Sequence, residues 1–321
     1  NNIIEITDGD DGQRLDRYLK REFKDIPYSL LQKMLRLGQI KVNDQRVKKG
    51  ELRLKTHDKI LLPTTFIHQE KSENNSKVKQ LAQKLKSMIL YQDENVLIIN
   101  KPAGLATQGG TGIDVSVDAL MREGYPKNAP KLVHRLDKET SGVLLLAKNA
   151  KAARFYADKF HQSGLRKIYL AITEGEPKVK QGLISIGLQK AKSGDFERMQ
   201  VSENAKDAIT YYDVLDYVKG VSSFVALMPK TGRTHQLRAH LNTINCPIIG
   251  DEKYNEKGEL VKNYTIANHL YLHAYILVIP TMTGKVLRII APLPAYFVKT
   301  LHELTLTKEV PTETLEELMS Q

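Results

Sequence analysis

The stretch His134–Lys148, HRLDKETSGVLLLAK, constrains this chain more than any other. A polar, charged run of nine residues opens directly into the apolar run Val143–Ala147. A short, continuous apolar segment bounded by Gly142 and Lys148 reads as a buried strand. Asp137, two residues after Arg135, therefore sits on a turn at the mouth of a strand, where a rigid scaffold presents reactive groups. By the residues alone, a surface-turn aspartate paired with a lysine or arginine is an equally good reading.

A buried strand needs a sheet around it. This strand is placed at 142–147, and downstream of residue 88 further strands are expected at 95–100, 167–174, 207–217, 221–228, 271–280 and 285–291, with helices at 115–122, 150–162, 234–244 and 294–304. Many of these strands are neighbours in sequence without a regular βαβ repeat. The expectation is an α+β fold with a mixed, mainly antiparallel sheet flanked by helices. The last residues, 306–321, are polar and are expected to form a mobile or loosely helical tail.

The N-terminal part differs. In GQRLDRYLKREF, Leu15, Tyr18, Leu19 and Phe23 fall on one helical face while Arg14, Arg17, Arg21 and Lys24 stripe another. Pro27 and Ser29 punctuate a second helix, which Gly38 ends as a C-cap. A short strand around Ile40–Asn43, a turn at Asn43-Asp44 and a strand in DKILLP close a compact unit at 13–63. Residues 64–87 turn polar and read as a linker, partly helical at its C-terminal end. A basic stripe on a helix is most simply a solvated face. Lys and Arg number 48 against 37 Asp and Glu, so the formal charge is +11, which favours a polyanionic partner, nucleic acid or an acidic membrane face.

One cysteine, Cys246, excludes an internal disulfide and a Cys-rich zinc site. His269 and His273 stand four apart with no Glu between them and no third ligand, so no metal site is expected. No apolar run reaches transmembrane length, and the first residues lack the basic-then-apolar pattern of a signal peptide; a cytoplasmic protein off the membrane is expected.

Four segments appear in order: Asn100-Lys101-Pro102-Ala103-Gly104, then HRLDKETSG at 134–142, then RKIYLA at 166–171, then TGRTHQLRAHL at 231–241, followed by Leu272-His273-Ala274. This order, with the QGGTG turn at 108–112, resembles the RluA-type pseudouridine synthases over residues 88–305. The run RxGxIxVNxxxV from Arg36 to Val47 resembles the alpha-L RNA-binding domain of a small-subunit ribosomal protein, an architecture seen in the RluC- and RluD-like members. The resemblance implies an RNA-modifying isomerase that converts uridine to pseudouridine in large-subunit ribosomal RNA, working as a monomer without a cofactor. It implies Asp137 as the catalytic carboxylate, which attacks the nucleoside or takes a proton from its sugar. Arg238 is implied as its counter-charge and Tyr169 as the ring that packs on the target base. A base inside a stem must be flipped out to be reached, and Arg135 is implied to fill the space it leaves. His134 and Leu272 complete the implied substrate contacts, and Arg14, Arg17, Arg21, Lys24 and Arg36 the RNA contacts, with phosphates as their partners. Thr140 and Ser141 are expected to bond backbone groups of the turn. Thr234 is expected as the N-cap of a helix that carries His235, Arg238 and Asn242 on one face.

Two other readings stand beside this one. A synthase acting on transfer RNA shares every motif. A non-enzymatic RNA-binding assembly factor fits the basic N-terminal unit, but it would be favoured by loss of Asp137, Tyr169 or Arg238, and all three are present. HRLD is similar to a kinase catalytic loop, yet no DFG follows. Ser76-x-x-Lys79 and Lys230-Thr231-Gly232 are similar to penicillin-binding motifs, yet no S-D-N exists and the first falls in the polar linker.

Overall fold

The computed structural model describes residues 3–23, 28–62, 78–110, 113, 115–162, 165–193, 196–202, 205, 207–255, 258, 264 and 266–321. Two compact units emerge, Asn1–Ala82 with Gln108–Leu120, and Gln83–Thr107 with Met121–Gln321.

In the first unit, α1 (Leu15–Glu22) and α2 (Tyr28–Arg36) accompany a four-stranded sheet ordered β1-β4-β2-β3. Its strands are β1 (Ile3–Glu5), β2 (Lys41–Val42), β3 (Gln45–Arg46) and β4 (Lys59–Leu61). Leu15, Tyr18 and Leu19 from α1 and Leu31, Met34 and Leu35 from α2 share one core with Ile40, Leu54 and Ile60. Gly38 takes φ 63° after α2, where the left-handed turn lets its amide donate to the Leu35 carbonyl and Gln39 to Met34. Asn43 and Asp44, both at positive φ, make the tight β2–β3 hairpin. The unit begins earlier than residue 13: β1 pairs with β4, and Ile6 is buried. The C-terminal end of the segment read as a linker is helical at residues 78–83 and Leu85–Met88, and Leu85 is buried; 63–77 lie outside the described residues.

The second unit is built on a ten-stranded sheet whose main path runs β10-β13-β14-β9-β15-β8-β6-β5. In chain order its strands are β5 (Ile89–Gln92), β6 (Val96–Lys101), β7 (Lys131–Leu132), β8 (Ser141–Ala147) and β9 (Arg166–Glu174). β10 (Gln181–Ser185), β13 (Ile209–Val218), β14 (Ser222–Pro229), β15 (Leu272–Pro280) and β16 (Val286–Ile290) follow, and β11 (Leu188–Ser193) with β12 (Phe196–Val201) forms a separate hairpin. Every described ladder is antiparallel except β8–β15. Leu227, Tyr169, Ala274, Gly142 and Lys101 form one row of directly paired residues across five strands. Gly142 has φ 111°, and a Cβ there would lie 2.2 Å from the Ala274 carbonyl oxygen, so only glycine lets β8 approach β15.

The helices are α3 (Val117–Gly124), α4 (Ala150–His161), α5 (Gln236–Thr243), α6 (Ala295–Glu303) and α7 (Thr312–Ser320). Asn149 caps α4, its side chain accepting from Ala152 N at 2.8 Å. Tyr156 and Ala152 of α4 pack against Val96, Ile98, Val143 and Leu145, while Phe297 and Leu301 of α6 join the larger core with β9, β14 and β15.

The C-terminal segment is helical, one of the two forms expected for it, but the helix is docked on the core and is neither mobile nor loose. Leu315, Leu318 and Met319 of α7 are buried in the larger core, and Thr307 N donates to Asp216 on β13 at 2.6 Å. Their i, i+3, i+4 spacing gives the helix one apolar stripe, and the polar residues that dominate its composition occupy the other face.

Candidate active site

The loop between β7 and β8 carries Asp137, and neighbouring backbone pins it from both sides. Thr107 donates its hydroxyl to the Leu136 carbonyl at 2.7 Å and accepts Leu136 N at 3.2 Å. Lys101, wholly buried at the end of β6, donates to the carbonyls of Pro102, Leu105 and Lys138 at 3.0, 2.8 and 3.0 Å. Gly104 N also donates to Lys138 O. Burial pushes the Lys101 ammonium down to about 7, with Glu139 and Asp137 drawing it back up. Three carbonyl acceptors match the three N–H bonds of the charged form, so we read Lys101 as a cation that joins the NKPAG turn to the Asp137 loop.

Arg238 comes from α5, whose start is fixed by its own sequence. Gln236 accepts from Thr231 Oγ1 and Arg233 N, and donates to Ile209 O and Thr210 Oγ1, all within 2.7–3.0 Å. The cap of this helix is His235, in the left-handed region at φ 51° without a side-chain capping bond, and not Thr234 as expected. The left-handed residue turns the chain one position later and brings the imidazole round to the site. Asn242, near the far end of the helix, does not line the cavity.

These elements converge on one cavity of about 300 Å³. Asp137, 24% exposed at its side chain, has Oδ2 3.5 Å from Arg238 Nη1 and 3.8 Å from His235 Nε2. Tyr169 and Leu272 form part of the wall. Burial, then the Asp137 charge, raise the Tyr169 pKa above its ordinary value, so its hydroxyl stays neutral.

Arg238 is shared. Its Nε and Nη2 donate to Asp251 at 2.7 and 2.6 Å, and the Asp251 carboxylate, with no exposed side-chain surface, also accepts Lys253 N and Tyr254 N. Burial works against the Arg238 charge, but the Asp251 bonds and the two carboxylate charges outweigh it and raise its pKa. Tyr254 lies beneath the guanidinium, 5.4 Å from ring centroid to Cζ, and its hydroxyl is 3.3 Å from His235 Nδ1. That hydroxyl accepts Met199 N at 2.7 Å, leaving its proton free for Nδ1; the Nε2–H tautomer of His235 then faces Asp137. Burial, with Arg238 and Lys253, lowers the His235 pKa despite Asp137, so the imidazole is neutral near pH 7.

The other expected residues separate into groups. His134 lines the cavity but is committed to the protein: its ring stacks on Phe160 at 3.9 Å and its Nε2 accepts Leu145 N at 2.9 Å. Burial, then Lys167, push its pKa down to about 3. Arg135 is exposed at the rim. Ser141 does not bond the turn; its hydroxyl meets His273 Nδ1 at 2.8 Å in the core. In the first unit, Arg14 is tied to Asp16, and Arg21 to Asp10 and Glu22, while Arg17 and Arg36 are exposed; Lys24 lies outside the described residues. Sequence reasoning missed Asp251, Tyr254 and the role of Lys101. A signal for Asp251 exists: an Asp directly after the apolar run CPIIG is placed for burial, and a buried carboxylate needs a cation.

Comparison with known proteins places the chain in a family. The RNA pseudouridylate synthase family model matches residues 95–243 and the S4 domain model matches residues 13–60. The chain is 37% identical over 297 residues to a ribosomal large subunit pseudouridine synthase C of Rickettsia typhi, covering 90% of this chain and 96% of that protein. It is 34% identical to the protein of the same name from Escherichia coli K12, covering 91% and 92%. Among solved structures, human RNA pseudouridylate synthase domain containing 4 aligns with a TM-score of 0.62 and 32% identity, over 74% of this chain and all of that one. With three of the four ordered motifs lining one cavity, the first bracing the Asp137 loop, and relatives matched nearly end to end, this chain belongs to the RNA pseudouridylate synthase family, enzymes that isomerise uridine to pseudouridine in RNA, and carries an N-terminal S4 domain.

Proposed function

We propose that the chain isomerises specific uridines of large-subunit ribosomal RNA, with Asp137 as the catalytic carboxylate acting on a uridine flipped out of its helix. The observation that carries this reading is the Asp137 carboxylate, half-open to a nucleoside-sized cavity and 3.5 Å from Arg238, with Tyr169 in the same wall. In the reaction the bond from N1 of uracil to C1′ breaks, C5 bonds C1′, and the proton leaving C5 is balanced by one gained at N1. No atoms are gained or lost. Asp137 promotes the first cleavage by adding to the nucleoside or by taking a sugar proton. Tyr169, kept neutral, offers its ring to the freed base while it rotates, and Leu272 offers an apolar contact beside it. Arg238 holds the carboxylate, and Arg135 at the rim has a planar guanidinium suited to stacking where the base has left. Extrusion of the uridine costs a few kcal/mol, least where it is already unpaired.

The target class rests on the relatives named above, which carry large-subunit ribosomal substrates in their names. The N-terminal unit, residues 13–63 with Arg17 and Arg36 exposed, supplies phosphate contacts and target choice. On this reading the enzyme works in the cytoplasm as a monomer. Tritium release from RNA labelled at carbon 5 of uridine tests the residue: Asp137→Asn is expected to be inactive, and activity within tenfold of wild type refutes the assignment. Mapping pseudouridine in total RNA with and without the gene tests the target. Sites should vanish from large-subunit ribosomal RNA and return with wild type but not with Asp137→Asn. Loss confined to transfer RNA refutes the ribosomal target.

A further inference from the structure

Among the described residues four cations line the active-site cavity, and three are accounted for. Arg238 is held by Asp251, Arg233 donates its Nε to the Asp207 carbonyl at 3.2 Å, and Arg135 is exposed to water. Lys167 is different. It sits on β9, partly buried in the cavity wall, and among the described residues its ammonium makes no hydrogen bond and no ion pair. Among the described residues no acid offsets the effect of burial on Lys167, and His134 beside it is neutral and stacked on Phe160. An ammonium withdrawn from water without a counter-charge is unfavourable, and burial lowers its pKa accordingly. A binding partner that brings a full negative charge removes that penalty.

Lys167 also has a defined position. It lies two residues from Tyr169 on one strand, so both side chains project to the same face, about 6.6–6.8 Å apart along the strand. That separation is comparable to the reach from a pyrimidine ring to its own backbone phosphate. Uracil and ribose offer only neutral oxygens, and the phosphate is the one anionic group that a target nucleotide carries. From the unpaired ammonium and its spacing from Tyr169, we infer that Lys167 holds a backbone phosphate flanking the target uridine, and thereby seats the flipped nucleotide over Tyr169 and Asp137. The inference rests on the proposed reading, in which the uracil packs on Tyr169.

The test is a cycle between protein and substrate. The substrates are RNA oligonucleotides containing a mapped target uridine, with the phosphate on its 5′ or its 3′ side replaced by a neutral methylphosphonate. On unmodified RNA, Lys167→Met is expected to lower kcat/KM about 10- to 100-fold, the loss of one charge-assisted hydrogen bond. Wild type should lose a similar factor on one of the two modified RNAs, and which one identifies the phosphate. Combining Lys167→Met with that RNA should bring no further loss, and Lys167→Arg should recover activity on unmodified RNA alone. Losses that multiply overturn the inference, as does wild-type activity that neither neutral linkage reduces. If Lys167→Met does not fold, Lys167→Gln enters the same cycle, and the wild-type arms need no variant. Wild-type turnover of unmodified RNA, measured alongside, separates failure of this inference from failure of the reading beneath it.

Discussion

Replacing Asp251 by Asn should lower both the stability and the activity of the enzyme. The Asp251 carboxylate is fully buried and accepts two bonds from Arg238, at 2.6 and 2.7 Å, with two backbone amides besides. In Asp251→Asn one of those acceptor positions becomes an NH₂ facing another donor, and the buried guanidinium loses its closest counter-charge. Breaking one side of a buried ion pair costs about 3–5 kcal/mol. For a unit of this size that corresponds to a fall in Tm of roughly 6–20 °C, at about 2–4 °C per kcal/mol. Differential scanning calorimetry reads that fall, and tritium release at a temperature where the variant remains folded reads the chemistry. Activity should fall even there, because Arg238 is released to close on Asp137 and no longer holds a fixed place. A control separates stability from catalysis: Asp251→Leu with Arg238→Met removes both charges, which is often neutral for stability, yet it should remain inactive. A Tm within 2 °C of wild type for Asp251→Asn, or wild-type activity for the double variant, would refute the reasoning.

Other outcomes follow from particular contacts. Leu315→Ala should destabilise the protein by about 2–5 kcal/mol in urea denaturation; a loss below about 0.5 kcal/mol, the size of an ordinary surface substitution, means α7 is not docked. His273 is buried, and burial pushes its pKa down to about 4, so the unfolded chain takes up a proton below 6.5 that the folded chain refuses until about 4. Its contribution is complete above pH 6.5 and fades as pH falls to 4, by about 1.4 kcal/mol per pH unit; His273→Gln should be less acid-sensitive, and equal sensitivity contradicts this. Arg17→Ala with Arg36→Ala should weaken RNA binding uniformly and flatten the plot of log affinity against log salt by about 0.7–0.9 per lost phosphate contact. An unchanged slope removes these two residues from the RNA interface.

Strands bounded by turn residues and filled with apolar side chains were legible from the chain itself. β8, β9 and β15 fall within one residue of the expected 142–147, 167–174 and 271–280. The β11–β12 hairpin was not, because QKAKS and ERMQ have neither alternation nor an apolar run, and their pairing comes from contacts with α5 and Tyr254. That α7 docks on the core was missed when composition was weighed above its spacing. In the site, Asp137, Tyr169 and Arg238 stood out through motifs, whereas Asp251 and Lys101 did not. Their importance lies in burial and in which atoms they meet, and neither is a local property of a sequence. The cap at His235 defeated local rules too, since a left-handed histidine is favoured only where the surrounding fold holds it.

The row Leu227–Tyr169–Ala274–Gly142–Lys101 makes the sheet a ruler for the proposed site. Tyr169 and Gly142 flank Ala274, so the ring and the entry of the Asp137 loop stand two ladder spacings apart, about 9.5 Å at the backbone. That interval is set by hydrogen bonds between main chains and does not depend on which apolar residues fill the core. A slip of one residue along β9 would turn Tyr169 to the opposite face and erase the site in a single step. Substrate preference in such a protein can therefore diverge through its loops and its N-terminal unit while the distance between ring and carboxylate stays constant.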